Sequence, residues 1–189
     1  MPTLTVIAGP NGSGKSTLTS SFWFEGNANL IDPDAIARRL DPARPARLAI
    51  PAAREAIVRC RALLADRASF TLEPALAGHG AMGIIRQASN AEYRTLLVYV
   101  SLGDPELHIE RVRVRVSQGG HDIPDVDIRR RYRRSLMRAP EAQRLADEAV
   151  VLDNSGLHPA RMLLLKGGRI VWRAKTLPEW VQRLAPVVE

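Results

Sequence analysis

The stretch Gly9-Pro10-Asn11-Gly12-Ser13-Gly14-Lys15-Ser16 follows the apolar run Leu4 to Ala8 and fits G-x-x-x-x-G-K-[ST], the P-loop pattern. Glycines let successive backbone N–H groups curl around phosphate oxygens without Cβ clashes, and a helix starting directly after the loop points its positive end at the same anion. The nucleotide-binding set is therefore Gly9, Pro10, Asn11, Gly12, Ser13, Gly14, Lys15, Ser16 and Thr17. Lys15 is predicted to reach the β- and γ-phosphates. Ser16, first residue of a helix running to about Phe24, offers its hydroxyl to Mg²⁺, and Thr17 lies near the α-phosphate.

Outward from this loop, apolar runs alternate with helical spacings. Leu30-Ile31-Asp32 reads as a short strand, Ala35 to Leu40 as a helix and Asp41 to Arg47 as a loop. Ile50, Ala53, Ile57, Cys60 and Leu64 mark one face of a helix over 50–67. Ser69 to Glu73 is a third strand, 80–91 a helix, and Arg94 to Leu102 a strand whose continuous apolar core suits burial on both faces. Asp104-Pro105-Glu106 is a helix start, with Ile109, Val112 and Val116 facing inward. Pro124-Asp125 opens a helix with Ile128, Tyr132 and Leu136 on one side, and Pro140 to Glu148 reads as a separate short one. A fifth parallel strand over 149–152, a hairpin of Met162–Leu165 with Arg169–Trp172, and a helix over 178–184 complete the chain. The expectation is an α/β P-loop NTPase three-layer sandwich: a mostly parallel five-stranded sheet with a C-terminal β-hairpin and helix, in one domain over 1–189.

With 189 residues and 46% hydrophobic content the chain is long enough for one packed core. No apolar run approaches the ~18 residues of a membrane span, and the N-terminus lacks a secretory pattern, so a cytoplasmic protein is expected. The net charge of +7 comes from three lysines and twenty-four arginines in an Ala-rich chain, as a coding bias would also produce, so basicity alone does not argue for nucleic acid. Cys60, the lone cysteine, falls on an apolar helix stripe as a buried thiol.

Parallel strands bring their C-terminal ends to one crevice: the P-loop, Asp32 and Asp34, Glu73, and the loop after Leu102. Phosphoryl transfer needs positioning, charge neutralisation and a proton acceptor. Of Asp32 and Asp34, one can hold a Mg²⁺-bound water and the other act as general base, and Asp34 can equally cap a helix. Glu73 is an acceptor-binding candidate or the partner of an arginine. Arg111 and Arg115 share a helix face, and Arg129, Arg130 and Arg131 follow the Gly119-Gly120 hinge. Together they suggest a basic flap over the transferred phosphate. His121 reads as a loop contact, and Trp172 and Trp180 as packing.

GPNGSGKST at 9–17, Ile31-Asp32-Pro33-Asp34, Phe70 to Glu73, and the block from Arg111 through GGHDIP to Ser135 resemble the zeta toxin family of P-loop kinases. The resemblance covers roughly residues 3–172. It implies a kinase that uses ATP or GTP with Mg²⁺ to phosphorylate the 3′-hydroxyl of UDP-N-acetylglucosamine and is neutralised by a small helical antitoxin. By position it implies Lys15 on the phosphates, Asp34 as base and Glu73 on the acceptor. It also implies a phosphate clamp from Arg115 and one of Arg129 to Arg131. The candidate set is thus Lys15, Asp34, Arg115, Arg130 and Arg131 for catalysis, Asp32, Glu73 and Arg111 for the acceptor, and Ser16 for the metal. The chain departs from the family at Glu73-Pro74-Ala75, where members often carry Glu-Thr-Thr. Three alternatives stand beside it: a metabolic kinase for another hydroxylated molecule, an ABC-like ATPase with Val150 to Asp153 as its acidic strand, and a nucleotide-gated RNA-binding module. No stacking aromatics interleave the arginines as the last would need, since Tyr132 falls on the apolar side of its helix.

Overall fold

The computed structural model describes residues 1–184. Seven strands form one sheet: β1 (Thr3–Ala8), β2 (Leu30–Ile31), β3 (Phe70–Leu72), β4 (Arg94–Ser101), β5 (Glu148–Asp153), β6 (Ala160–Lys166) and β7 (Arg169–Arg173). Their spatial order is β2-β3-β1-β4-β5-β6-β7. The first five are mutually parallel, as expected, and the hairpin β6–β7 continues the same sheet antiparallel from the edge of β5. Every residue of β1 is buried, on both pleat directions, which requires cover on both faces of the sheet.

Helices occupy the crossovers: α1 (Lys15–Ser21), α2 (Pro33–Leu40), α3 (Ala49–Ala65), α4 (Gly80–Asn90), α5 (Pro105–Ser117) and α6 (Asp125–Leu145), with α7 (Glu179–Gln182) closing the described chain. Asp104 caps α5 by accepting from Glu106 N at 2.9 Å, so the cap and following proline win over the strand-like Arg/Val alternation. The helix expected up to Phe24 stops at Ser21, and the aromatic pair Phe22 and Trp23 is exposed.

Two expectations are corrected. α3 buries Cys60 and packs Ile57 and Leu64 against the core as the spacing requires, but Ile50 and Ala53 are exposed and Ala52 and Ala56 are buried in their place, so small residues make the closest contact over the first half of the helix. α6 is one helix of 21 residues running through Pro140, not two. Packing of Ala139 and Ala142 into the core and a bond between Ser135 Oγ and Tyr99 Oη (3.1 Å) hold it across the missing N–H. Cys60 is fully buried, which pushes its thiol up to about 12. Trp180 is buried beside Tyr99, while Trp172 is partly exposed on the edge strand under the Arg161 guanidinium. Among the described residues no helix is long and apolar enough to cross a membrane.

Candidate functional site

The loop between β1 and α1 is fixed by what crowds it. A Cβ at Gly9 would meet Val100 O of β4 at 1.9 Å, and one at Gly12 (φ +78°) would meet His108 O of α5 at 2.6 Å, so both neighbours can press on the loop only because these residues are glycine. Lys15 is buried, with Nζ donating to Pro10 O at 3.2 Å. Helix α1 starts at Lys15, one residue before the expected start at Ser16, and Gly14 caps it without a side chain.

Asp32, not Asp34, caps α2: its Oδ1 accepts from Asp34 N at 2.8 Å, and Pro33 takes the first helical position. That frees the Asp34 carboxylate, whose Oδ2 accepts from Asn11 Nδ2 of the P-loop at 2.7 Å. Asn11 Oδ1 accepts from Arg131 Nη1 at 3.0 Å, and the same guanidinium lies 3.9 Å from Asp34 Oδ1. The buried Asn11 amide therefore joins the acid of α2 to the arginine of α6. Burial, and then the nearby Asp34 charge, raises the Asp32 pKa, while Arg38 at 3.4 Å opposes this.

Glu73, just past β3, points at the start of α1. Its Oε1 accepts from Ser16 Oγ at 2.6 Å and its Oε2 from Thr19 Oγ1 at 3.0 Å. Burial raises its pKa, against the pull of Lys15 and the Ser16 bond.

The other side of the cleft comes from α5 and the end of β5. Arg111 Nη2 donates to Asn154 O (2.7 Å), and Asn154 Nδ2 donates to Ser13 O of the P-loop (2.9 Å). Arg115 is half-buried, donating from Nη2 to His121 O (3.1 Å), and its Nε has no partner among the described residues. Burial lowers its pKa and the carboxylates of Asp34 and Asp32 draw it back up, which places this guanidinium in their field. Lys15, Ser16, Thr17, Arg38, Arg111, Arg115, Asp32, Asp34 and Glu73 line one cleft of about 650 Å³.

Sequence reasoning missed two contributors, His108 and Arg38, and the loop-holding role of a third, Asn154. His108 is wholly buried: Leu102 N–H donates to Nε2 (3.2 Å), leaving Nδ1 as the donor to Asn11 O (2.8 Å). Burial pushes this imidazole down to about 4, so it is neutral at ordinary pH. Arg38 lies beside Asp32 and 3.5 Å from His121 Nδ1, and Asn154 holds the loop from across the cleft. Only the strand-end position of Asn154 gave any signal of this; His108 sits in an ordinary amphipathic helix.

Arg130 is a correction. It pairs with Asp127 one turn earlier at 2.8 Å and is half-exposed, whereas Arg131, about 100° further round the helix, turns to Asn11 and Asp34; neither lines the cleft itself. Arg129 is bound bidentately to Glu106 at 2.7 Å. Asp153, the acid an ABC-like reading needs, turns back onto Ser155, whose Oγ donates to its Oδ1 at 2.7 Å.

The family described as "AAA domain" (AAA_33) matches residues 4–138. An uncharacterised protein of Haemophilus influenzae is 32% identical over 124 residues, covering 66% of this chain and 88% of its own. In fold the chain is similar to a crystal structure of AvrRxo1-ORF1:-ORF2 with ATP (TM-score 0.73, 12% identity), with all of this chain covered. The chain spans 65% of that one's length. It is also similar to a structure from the PezAT chromosomal toxin-antitoxin system of Streptococcus pneumoniae, with a TM-score of 0.62, 12% identity, and 96% of this chain and 76% of that chain covered. At such identities these two likenesses speak for the fold alone. The P-loop, the strand order and the match over 4–138 together make this chain a member of the AAA-domain (AAA_33) family of P-loop proteins.

Proposed function

We propose that the protein transfers the γ-phosphoryl group of a nucleoside triphosphate to a hydroxyl of a small molecule, with Asp34 as general base. One observation carries this reading: Asp34 and Glu73 line both the cationic P-loop cleft and a second, apolar chamber beside it, so both carboxylates sit where a nucleotide and an acceptor would meet. Lys15 exchanges the Pro10 carbonyl for phosphate oxygens, Asp34 accepts the proton of the attacking hydroxyl, and Arg115 from the cleft and Arg131 from beside Asp34 in the chamber offset charge on the equatorial oxygens.

The oxygen donors of Ser16 and Glu73, 2.6 Å apart, suit a hard cation completed by phosphates and water, and these residues would hold Mg²⁺. When bound, Mg²⁺ neutralises charge on the β- and γ-oxygens. The Glu73 role is thus metal-holding in this reading, rather than the acceptor contact expected at first.

The resemblance to zeta toxins supports UDP-N-acetylglucosamine as the first acceptor to try, and ATP and GTP as donors. The likeness to a structure from the PezAT system supports a small antitoxin partner. The Pro74-Ala75 departure and the apolar chamber favour a second reading, a kinase for another hydroxylated small molecule. Incubation with Mg²⁺, ATP or GTP and each candidate acceptor, followed by ³¹P resonances, should give a new phosphomonoester with wild type and none with Asp34→Asn. Turnover retained in Asp34→Asn would remove the general-base role.

A further inference from the structure

Behind Asp34 lies a chamber of about 200 Å³ in which, among the described residues, the polar side chains are Asp34, Glu73 and Arg131; Ala53, Ala56, Ile57, Leu72 and Leu76 supply much of the rest. At about 30 Å³ per water molecule it has room for one small ring or a short chain, not a whole nucleotide-sugar. The chamber shares Ala49, Ala53, Ile57, Ala77 and Gly80 with an open groove between α3 and α6. This groove is lined by Arg54 and Arg61 of α3 and Arg130, Arg131 and Arg134 of α6, with no acid in its wall.

These arginines do not all have the same freedom. Arg131 is turned to Asn11 and Asp34, and Arg130 is neutralised by Asp127. Arg54, Arg61 and Arg134 form no ion pair among the described residues and face one shared space from two helices. Arg54 and Arg61 are seven residues, about two turns, apart on one face of α3. Like charges converging on a groove repel one another unless an anion lies between them, and guanidinium forks match phosphate oxygens in pairs.

We infer that the acceptor is a two-part molecule, in which a small hydroxyl-bearing part enters the chamber to reach Asp34 while a phosphate or diphosphate ester group rests on Arg54, Arg61 and Arg134. The inference rests on the phosphotransfer reading for the role of Asp34. It also accounts for Pro74-Ala75: with the anion held by α3 and α6, the loop after β3 does not have to supply hydroxyls.

The test fills the P-loop first. With the protein saturated by Mg²⁺ and the non-hydrolysable analogue AMPPNP, inorganic pyrophosphate is titrated in calorimetrically. Wild type should bind it, and the triple variant Arg54→Ala/Arg61→Ala/Arg134→Ala should bind it about tenfold more weakly or worse, with AMPPNP affinity unchanged. Arg169→Ala, on the exposed edge strand, should behave as wild type. Circular dichroism checks folding of the triple variant, and Arg54→Glu alone should weaken pyrophosphate in the same direction. Absent or unaltered pyrophosphate binding overturns the inference. So does loss of a mixed RNA oligonucleotide by the triple variant with pyrophosphate indifferent, which assigns the groove to nucleic acid. No turnover with any acceptor would sink the kinase reading while leaving the pyrophosphate result standing.

Discussion

The two spaces that meet at Asp34 are made of opposite materials. The nucleotide cleft is walled by Lys15, Arg38, Arg111 and Arg115 facing Asp32, Asp34 and Glu73, and its loop is held by His108, Asn154 and Arg131. The chamber behind is almost wholly alanine, proline and aliphatic side chain. The difference separates two tasks. A polyphosphate is held by charge and by backbone N–H groups, whatever the rest of the molecule is, whereas an acceptor in a small apolar space is chosen by shape.

Substitutions at the junction should have the largest effects. Asp34→Asn is expected to lower kcat by about 10²–10⁴-fold while nucleotide affinity stays near wild type, since an amide still fits beside Asn11. Titration with AMPPNP and a single-turnover assay check the two halves, and a parallel loss of affinity would make Asp34 part of the nucleotide site. Arg131→Ala should cost about 10²–10³-fold in kcat, the scale of one lost transition-state donor. Its sequence neighbour Arg130 should be dispensable for turnover, because its partner is Asp127 and not the loop. Equal losses at 130 and 131 would erase the inward–outward distinction along α6.

The next effect concerns the cleft alone. Burial holds the native His108 neutral down to about pH 4, while an unfolded histidine takes up its proton near 6.5. The unfolded chain therefore binds more protons in this window, and stability falls as pH drops from 6.5 to 4, by about 3 kcal/mol in total. Above 6.5 the contribution is fully present. Asp32 and Glu73, with pKa raised by burial, act in the opposite direction, but they do so in wild type and variant alike. Denaturation across pH 4–7 should show a flatter profile in His108→Phe; an identical slope would mean that the imidazole is charged or exposed in the native state. Smallest is the chamber filler Ala53→Phe, expected to raise acceptor KM about tenfold without touching nucleotide affinity.

What could be read from the sequence follows the range of the interactions. The P-loop, the capping motif at Asp104 and the existence of five parallel strands depend on residues close in sequence, and all stand in the fold, whereas the order of those strands in the sheet was not read. Asp32 and Asp34 were recognisable as a pair, but which one caps was settled only by the backbone of α2. His108 and Asn154 reach the P-loop across 97 and 141 residues, and no local pattern announces such a contact. In the arginine run of α6 a one-residue shift rotates the side chain by about 100°, so composition alone could not separate Arg131 from Arg130. The face of α3 was misjudged only in its first half, where close packing favours Ala52 and Ala56 over Ile50 and Ala53; Ile57, Cys60 and Leu64 face the core as expected.

A crystal structure of the protein with Mg²⁺ and AMPPNP tests the central claim most directly. Allowing about 3 Å from base to hydroxyl and slightly more from hydroxyl to phosphorus, the Asp34 carboxylate should lie about 6 Å from the γ-phosphorus, with Arg131 on the same side and the apolar chamber opening between them. A γ-phosphate directed away from Asp34, or a chamber cut off from it by protein, would contradict the account.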